Sequence, residues 1–172
     1  ATNTPLGTVG SGTTVASGAT LDLNGYTLGT AEALTLNGTG VGGTAGALAN
    51  SSGTAVTYSG LLTLGSDATV NATGSITLSN AGTITGSGST LTLAGTATGS
   101  SMASILGTVA GGLTKTGTGT WTLSGASTYT GATTVSAGTL KLGAAGGATN
   151  TPLGTVGSGT TVASGATLDL NG

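Results

Sequence analysis

Five charged side chains fall within one stretch of 147 residues: the carboxylates of Asp22, Glu32 and Asp67 and the amines of Lys115 and Lys141. Hydrolysis of a glycan needs two carboxylates facing one bond, and proton shuttling at neutral pH draws most often on histidine. Here the acids stand singly and there is no His. Cysteine is absent as well, which removes thiol chemistry, disulfides and thiolate metal sites. The residues therefore predict no enzyme, no catalytic side chain and no cofactor, with all five charges solvating exposed strand faces.

Metal and phosphate sites fail on spacing. Calcium-binding β-rolls carry Asp at fixed positions after a Gly pair, whereas "GGT" and "GGL" have no following Asp. The Gly-rich runs "GSGTT" and "GTGTW" lack the Lys and the strand-to-helix setting of a phosphate cradle. A formal net charge of −2 gives no field to attract nucleic acid or an anionic membrane. No apolar run approaches the ~20 residues of a membrane-spanning helix, and targeting information is expected outside these residues.

Among the few aromatics, Trp121 and Tyr129 could stack on a sugar. Trp121 takes the apolar place in "TWTL", which predicts a core residue. Tyr129, amid "STYTG", is expected to be more open. Asn37, Asn50 and Asn71 begin Asn-x-Ser/Thr triplets, a number that chance supplies in a chain so rich in Ser and Thr. Asn24, Asn37 and Asn80 stand at strand exits, where a corner or an inward amide stack is expected.

The elements that must position these groups repeat. "ATNTPLGTVGSGTTVASGATLDLNG" fills residues 1–25 and returns unchanged at 148–172, an offset of 147 residues (148 − 1). Residues 1–147 thus read as one full unit of a tandem array and 148–172 as the start of the next, so the residue after Gly172 should be Tyr, as after Gly25. Six charged residues and 36 glycines could describe a disordered chain, but aliphatics recur at regular places and mean hydropathy is +0.36.

Their spacing is two. Leu21 and Leu23, Leu34 and Leu36, Leu62 and Leu64, Ile76 and Leu78, Leu91 and Leu93, Trp121 and Leu123, and Leu140 and Leu142 each flank one polar or charged residue. Such alternation predicts short strands with these fourteen residues in the core and Thr on the outer face. "LNG", "LSN", "LAG" and "LSG" then break the strands with residues suited to tight corners.

Short strands, frequent corners and covalent repetition without a recognisable linker predict an all-β parallel solenoid of ~6 or 7 rungs per 147 residues. "GTGVGGTAG" at 38–46 and "TATGSSMAS" at 96–104 are the expected bulging loops.

Residues 111–143, with "LTKTGTGTWTLSG", "STYTGATTV" and "AGTLKLG" in order, resemble the autotransporter-associated β-strand repeat. That family is found in passenger regions of bacterial autotransporters and other very large secreted proteins. Trp121 departs from it, since Leu is usual there. The resemblance implies a right-handed parallel β-helix, secretion to the bacterial surface or beyond, and a stalk or adhesive role without catalysis. The expected function is a structural segment of an extracellular filament or stalk whose partners are further copies of the same repeat. An adhesin for a surface or glycan is the alternative, and an ice-binding solenoid is a further one, although the Thr pairs change spacing from strand to strand.

Overall fold

The computed structural model of the chain describes residues 3–8, 10–155, 157 and 159–171. Near its start β1 (Asn3–Thr4) and β2 (Gly7–Thr8) form an antiparallel hairpin, which recurs as β18 (Asn150–Thr151) and β19 (Gly154–Thr155). The other strands stack in parallel as the three sides of a coil, a β-solenoid of about six turns.

On the first side lie β3 (Thr13–Val15), β5 (Leu34–Gly38), the first residues of β8 (Leu62–Ala72), β10 (Thr83–Ile84) and β13 (Ile105–Leu106). Thr14, Thr35, Thr63 and Thr85 run up this side in register. The second side holds β4 (Leu21–Asp22), β6 (Leu48–Asn50), the last residues of β8, β11 (Leu91–Gly95), β14 (Leu113–Lys115), β16 (Thr133–Val135) and β20 (Thr160–Val162). Its inward column is Leu21, Leu48, Val70, Leu93, Lys115, Val135 and Val162. On the third side are β7 (Val56–Tyr58), β9 (Ile76–Leu78), β12 (Ser100–Met102), β15 (Thr120–Leu123), β17 (Thr139–Leu142) and β21 (Thr167–Asp169). Here Tyr58, Leu78, Met102, Leu123 and Leu142 share a column.

Alternation explains the core. Leu23, Leu34, Leu36, Leu62, Leu64, Ile76, Leu78, Leu91, Leu93, Trp121, Leu123 and Leu140 are all buried, each turned inward by the pleat while the intervening residue faces out. Leu21 and Leu142 depart from expectation and are half-buried. Leu21 lies in the lowest strand of its side, with β6 above it, and Leu142 lies one residue beyond the register that β21 covers.

The coils are unequal. From Leu91 to Leu113 is 22 residues and from Leu113 to Thr133 is 20, but Leu34 to Leu62 takes 28 and Thr133 to Thr160 takes 27. The long coils contain either the exposed loop around a 3-10 turn at Val41–Gly43 or the second hairpin. Loop 38–46 therefore bulges as its sequence suggests. Residues 96–104 do not, because Ser100–Met102 forms β12 and Met102 is in the core.

One corner of the second side is stacked backbone. A Cβ on Gly95 would collide with the carbonyl of Ala72, one on Gly117 with that of Gly95, and one on Gly138 with that of Gly117. All three glycines also have positive φ, at 107°, 68° and 65°. Glycine alone satisfies both demands at little cost. No helix among the described residues is long and apolar enough to cross a membrane.

Candidate functional site

The charged groups do not all face water. Lys115 is fully buried in the aliphatic column of the second side, between Leu93 and Val135. Its Nζ donates to the carbonyls of Thr116, Gly117 and Ala137 at 2.6, 2.8 and 3.2 Å, so the ammonium ties one corner to the next. Burial pulls its pKa down from 10.5 to about 8. Glu32 is likewise buried and accepts a 2.8 Å hydrogen bond from Thr13 Oγ1, while the Tyr58 hydroxyl donates to its backbone carbonyl. Both overturn the expectation that every charge solvates an outer face.

The remaining acids lie at the surface and hold the neighbouring coil. Burial would raise the Asp22 carboxyl, but the Ser51 hydroxyl and the amides of Ser51 and Asn24 outweigh it and keep its pKa below the ordinary value. These contacts measure 2.5, 3.0 and 2.9 Å. Asp67 accepts from the Thr90 amide at 2.7 Å, and Lys141 lies 3.8 Å from Asp169. Among the described residues no group of three or more acidic side chains could hold a metal ion.

The aromatic groups are inward too. Trp121 fills the core beside small Ser100, its strand partner, and its Nε1 donates to the Ala94 carbonyl at 3.0 Å. Tyr129 is buried rather than open, with its hydroxyl 2.6 Å from Thr133 Oγ1. Burial pushes the Tyr129 phenol up to about 12, against the opposing effect of that hydrogen bond. Burial also raises Tyr58, assisted by the charge of Glu32. Trp121 and Tyr129 are thus not a sugar-stacking pair on the surface.

Asparagines serve corners. Asn50, fully buried, accepts from the Gly25 amide at 3.0 Å and donates to the carbonyls of Thr54 and Ser75 at 2.8 and 3.2 Å, so it joins three successive coils. Asn37 donates to the Val15 carbonyl and Asn80 to that of Ser59. Asn24 itself turns the chain with φ of 42°.

Among the hollows open to solvent, two bear on binding. An apolar groove of about 380 Å³ at the N-terminal end of the coil is lined by Pro5, Leu6, Leu21, Leu23, Tyr26 and Leu28. A shallow trough on the second side is lined by Thr39, Thr44, Thr69, Asn71, Thr92 and Thr116, beside loop 38–46. Thr69, Thr92, Thr114, Thr134 and Thr161 form a file in register on that side. Two residues along each strand the outward neighbour varies, from Asn71 to Ala94 to Thr116, so the file is single and not the paired array that ice binding requires.

The stretch that holds Lys115, Trp121 and Tyr129 also matches a known family. Residues 113–142 match the passenger-associated-transport-repeat. With the stacked coils around it, this stretch matches an autotransporter passenger-type repeat protein, a family that implies secretion to the cell surface or beyond. Neither the curated proteins nor the solved structures include a match to the chain.

The passenger-associated-transport-repeat here begins with β14 and ends with β17. Its first strand supplies Lys115 to a corner and its second supplies Trp121 to the core. Between them and β16, Tyr129 reaches across to Thr133, so the repeat turns three large side chains, Lys115, Trp121 and Tyr129, to the interior. Sequence reasoning missed Lys115, Glu32 and Asn50. Their parity signalled them, since each lies two residues from an inward Leu: Leu113, Leu34 and Leu48.

Proposed function

We propose that the chain is a non-enzymatic segment of a bacterial extracellular stalk or filament, built as one continuous solenoid from tandem copies of its 147-residue repeat. The observation that carries this reading is where its reactive groups go. Lys115, Glu32, Tyr58, Tyr129 and Trp121 are turned inward, and Asp22 and Asp67 hold amides of the next coil. Groups that could do chemistry hold coils together instead. Further copies of the repeat are then the partners, and each 147 residues lengthen the rod by ~30 Å at ~4.8 Å per coil.

The test is the denatured mass of the natural polypeptide together with its length by electron microscopy. A mass many times 15.6 kDa and a rod that grows by ~30 Å per repeat are expected. A mass near 15.6 kDa would overturn the covalent rod. The trough beside loop 38–46 favours a second reading, an adhesin whose hydroxyl-lined surface takes a glycan. Binding to an array of surface glycans that Thr92→Lys and Thr116→Lys abolish would support it.

A further inference from the structure

We infer that successive copies of the repeat join with a rotation of one side of the coil, a third of a turn, and that the apolar groove at the N-terminal end is the seat of the preceding copy's β16–β17 edge. This rests on the stalk reading above and adds how the copies meet.

The chain contains both halves of the joint. The described residues of 1–25 and 148–172 share local features: the two hairpins have one register, Asn3 with Thr8 and Asn150 with Thr155. The Asn24 amide meets Asp22 at 2.9 Å and the Asn171 amide meets Asp169 at 2.8 Å. Gly18 and Gly165 both have φ of 79°. Their neighbours differ. The first copy has coils above it, β5 on β3 and β6 on β4, whereas the second has coils below it, β16 under β20 and β17 under β21.

Superposing the copies supplies each with what the other shows. Leu168, the counterpart of Leu21, is in register with Leu140, and Asp169, the counterpart of Asp22, lies 3.8 Å from Lys141. Thus the floor of the groove at Leu21 is covered by Leu140 of the preceding copy, and its rim at Asp22 by that copy's Lys141. On the next side the threonine file continues from Thr134 through Thr161, the counterpart of Thr14, to Thr35 and Thr63.

The rotation follows from the sides on which the counterparts lie. β3 is on the first side and pairs with β5, but its counterpart β20 is on the second side and pairs with β16. Likewise β4 is on the second side and β21 on the third. From β3 the chain returns to the first side at β5, β8, β10, β13, Ser127–Tyr129 and the second hairpin, which stacks on Ser127 and Tyr129. That makes six turns, and one more side reaches β20. The second side of each copy therefore becomes the first side of the next, and a given side recurs only after three copies, ~90 Å along the rod.

Four tandem copies carrying a peptide tag inserted after Gly42, decorated with an antibody fragment and imaged by electron microscopy, test this. Successive labels should step around the rod, with ~90 Å between labels on one side. Labels in a single file ~30 Å apart would overturn the rotation and leave the stalk standing. Separate beads joined by flexible linkers would overturn the stalk and the joint together. Should the insertion block folding, Thr134→Cys with Thr161→Cys in the 172-residue chain should cross-link on mild oxidation. Cross-linking of Thr161→Cys to Thr128→Cys instead would be the unrotated joint and would refute the inference.

Discussion

Raising the pH from 7 to 10 should stabilise the coil that contains Lys115. The ammonium is enclosed among Leu93, Val135 and corner carbonyls, and its pKa falls to about 8 in the fold against 10.5 in the unfolded chain. Between those values the unfolded chain holds the proton more tightly, so stability rises with pH, and a cost fully present below pH 8 is relieved by pH 10.5. Integrating the two titrations gives a gain of about 2.5 kcal/mol between pH 7 and 10. Tyr58 and Tyr129 work in the opposite sense. Their raised pKa values stabilise the fold below the ordinary phenol pKa of 10 and lose that contribution above it, so the gain is read up to pH 10. Trp121 is the single tryptophan and lies in the same coil, which makes its fluorescence in a urea titration a local reporter. Lys115→Met should be flat over this range. A wild-type midpoint that does not rise, or a variant that rises equally, would refute the buried ammonium.

Leu123→Asp puts a carboxylate between Met102 and Leu142 and should cost more than ~3 kcal/mol, opening the coil to protease; unchanged resistance would count against an inward Leu123. Trp121→Leu restores the residue usual in the resembled family but leaves a void and deprives the Ala94 carbonyl of its donor. A loss of ~2 kcal/mol is expected by circular dichroism in urea. Gly95→Ala forces a Cβ onto the Ala72 carbonyl at φ of 107°, and calorimetry should show ~1–3 kcal/mol lost, whereas Ala94→Ser one residue earlier, facing out, should change little.

The strands were legible because Leu and Thr alternate, and alternation is set by the pleat itself. The same pattern held information that residue type obscured: Lys115 and Glu32 stand at inward parity with Leu113 and Leu34, but a charge invites the outer face. What brings them in is the corner backbone and a neighbouring hydroxyl, carbonyls for the ammonium and Thr13 for the carboxylate, and of those partners Ala137 and Thr13 lie on other coils. Residues 96–104 look like a loop because Gly99, Ser100 and Ser101 are small. Ser100 is small where Trp121 needs room, a relation between strands 21 residues apart. Likewise the 147-residue offset is visible in the letters but the six turns and one side are not, since coil length varies with a loop and a hairpin whose size only stacking reveals. Which residues meet in the trough of the second side was equally hidden, because it depends on register.

The glycine corner separates two properties that most folds keep entangled. Where Gly138 rests on Gly117 and Gly117 on Gly95, main chain meets main chain and no side chain sets the gap. The outward positions of the flat sides, among them Thr92, Ser101, Thr122 and Lys141, take no part in that contact. Substitutions there can change the charge and shape of the outer faces while the spacing between coils stays the same. The sequence of such a solenoid can therefore vary at every coil on its outside without disturbing how the coils stack.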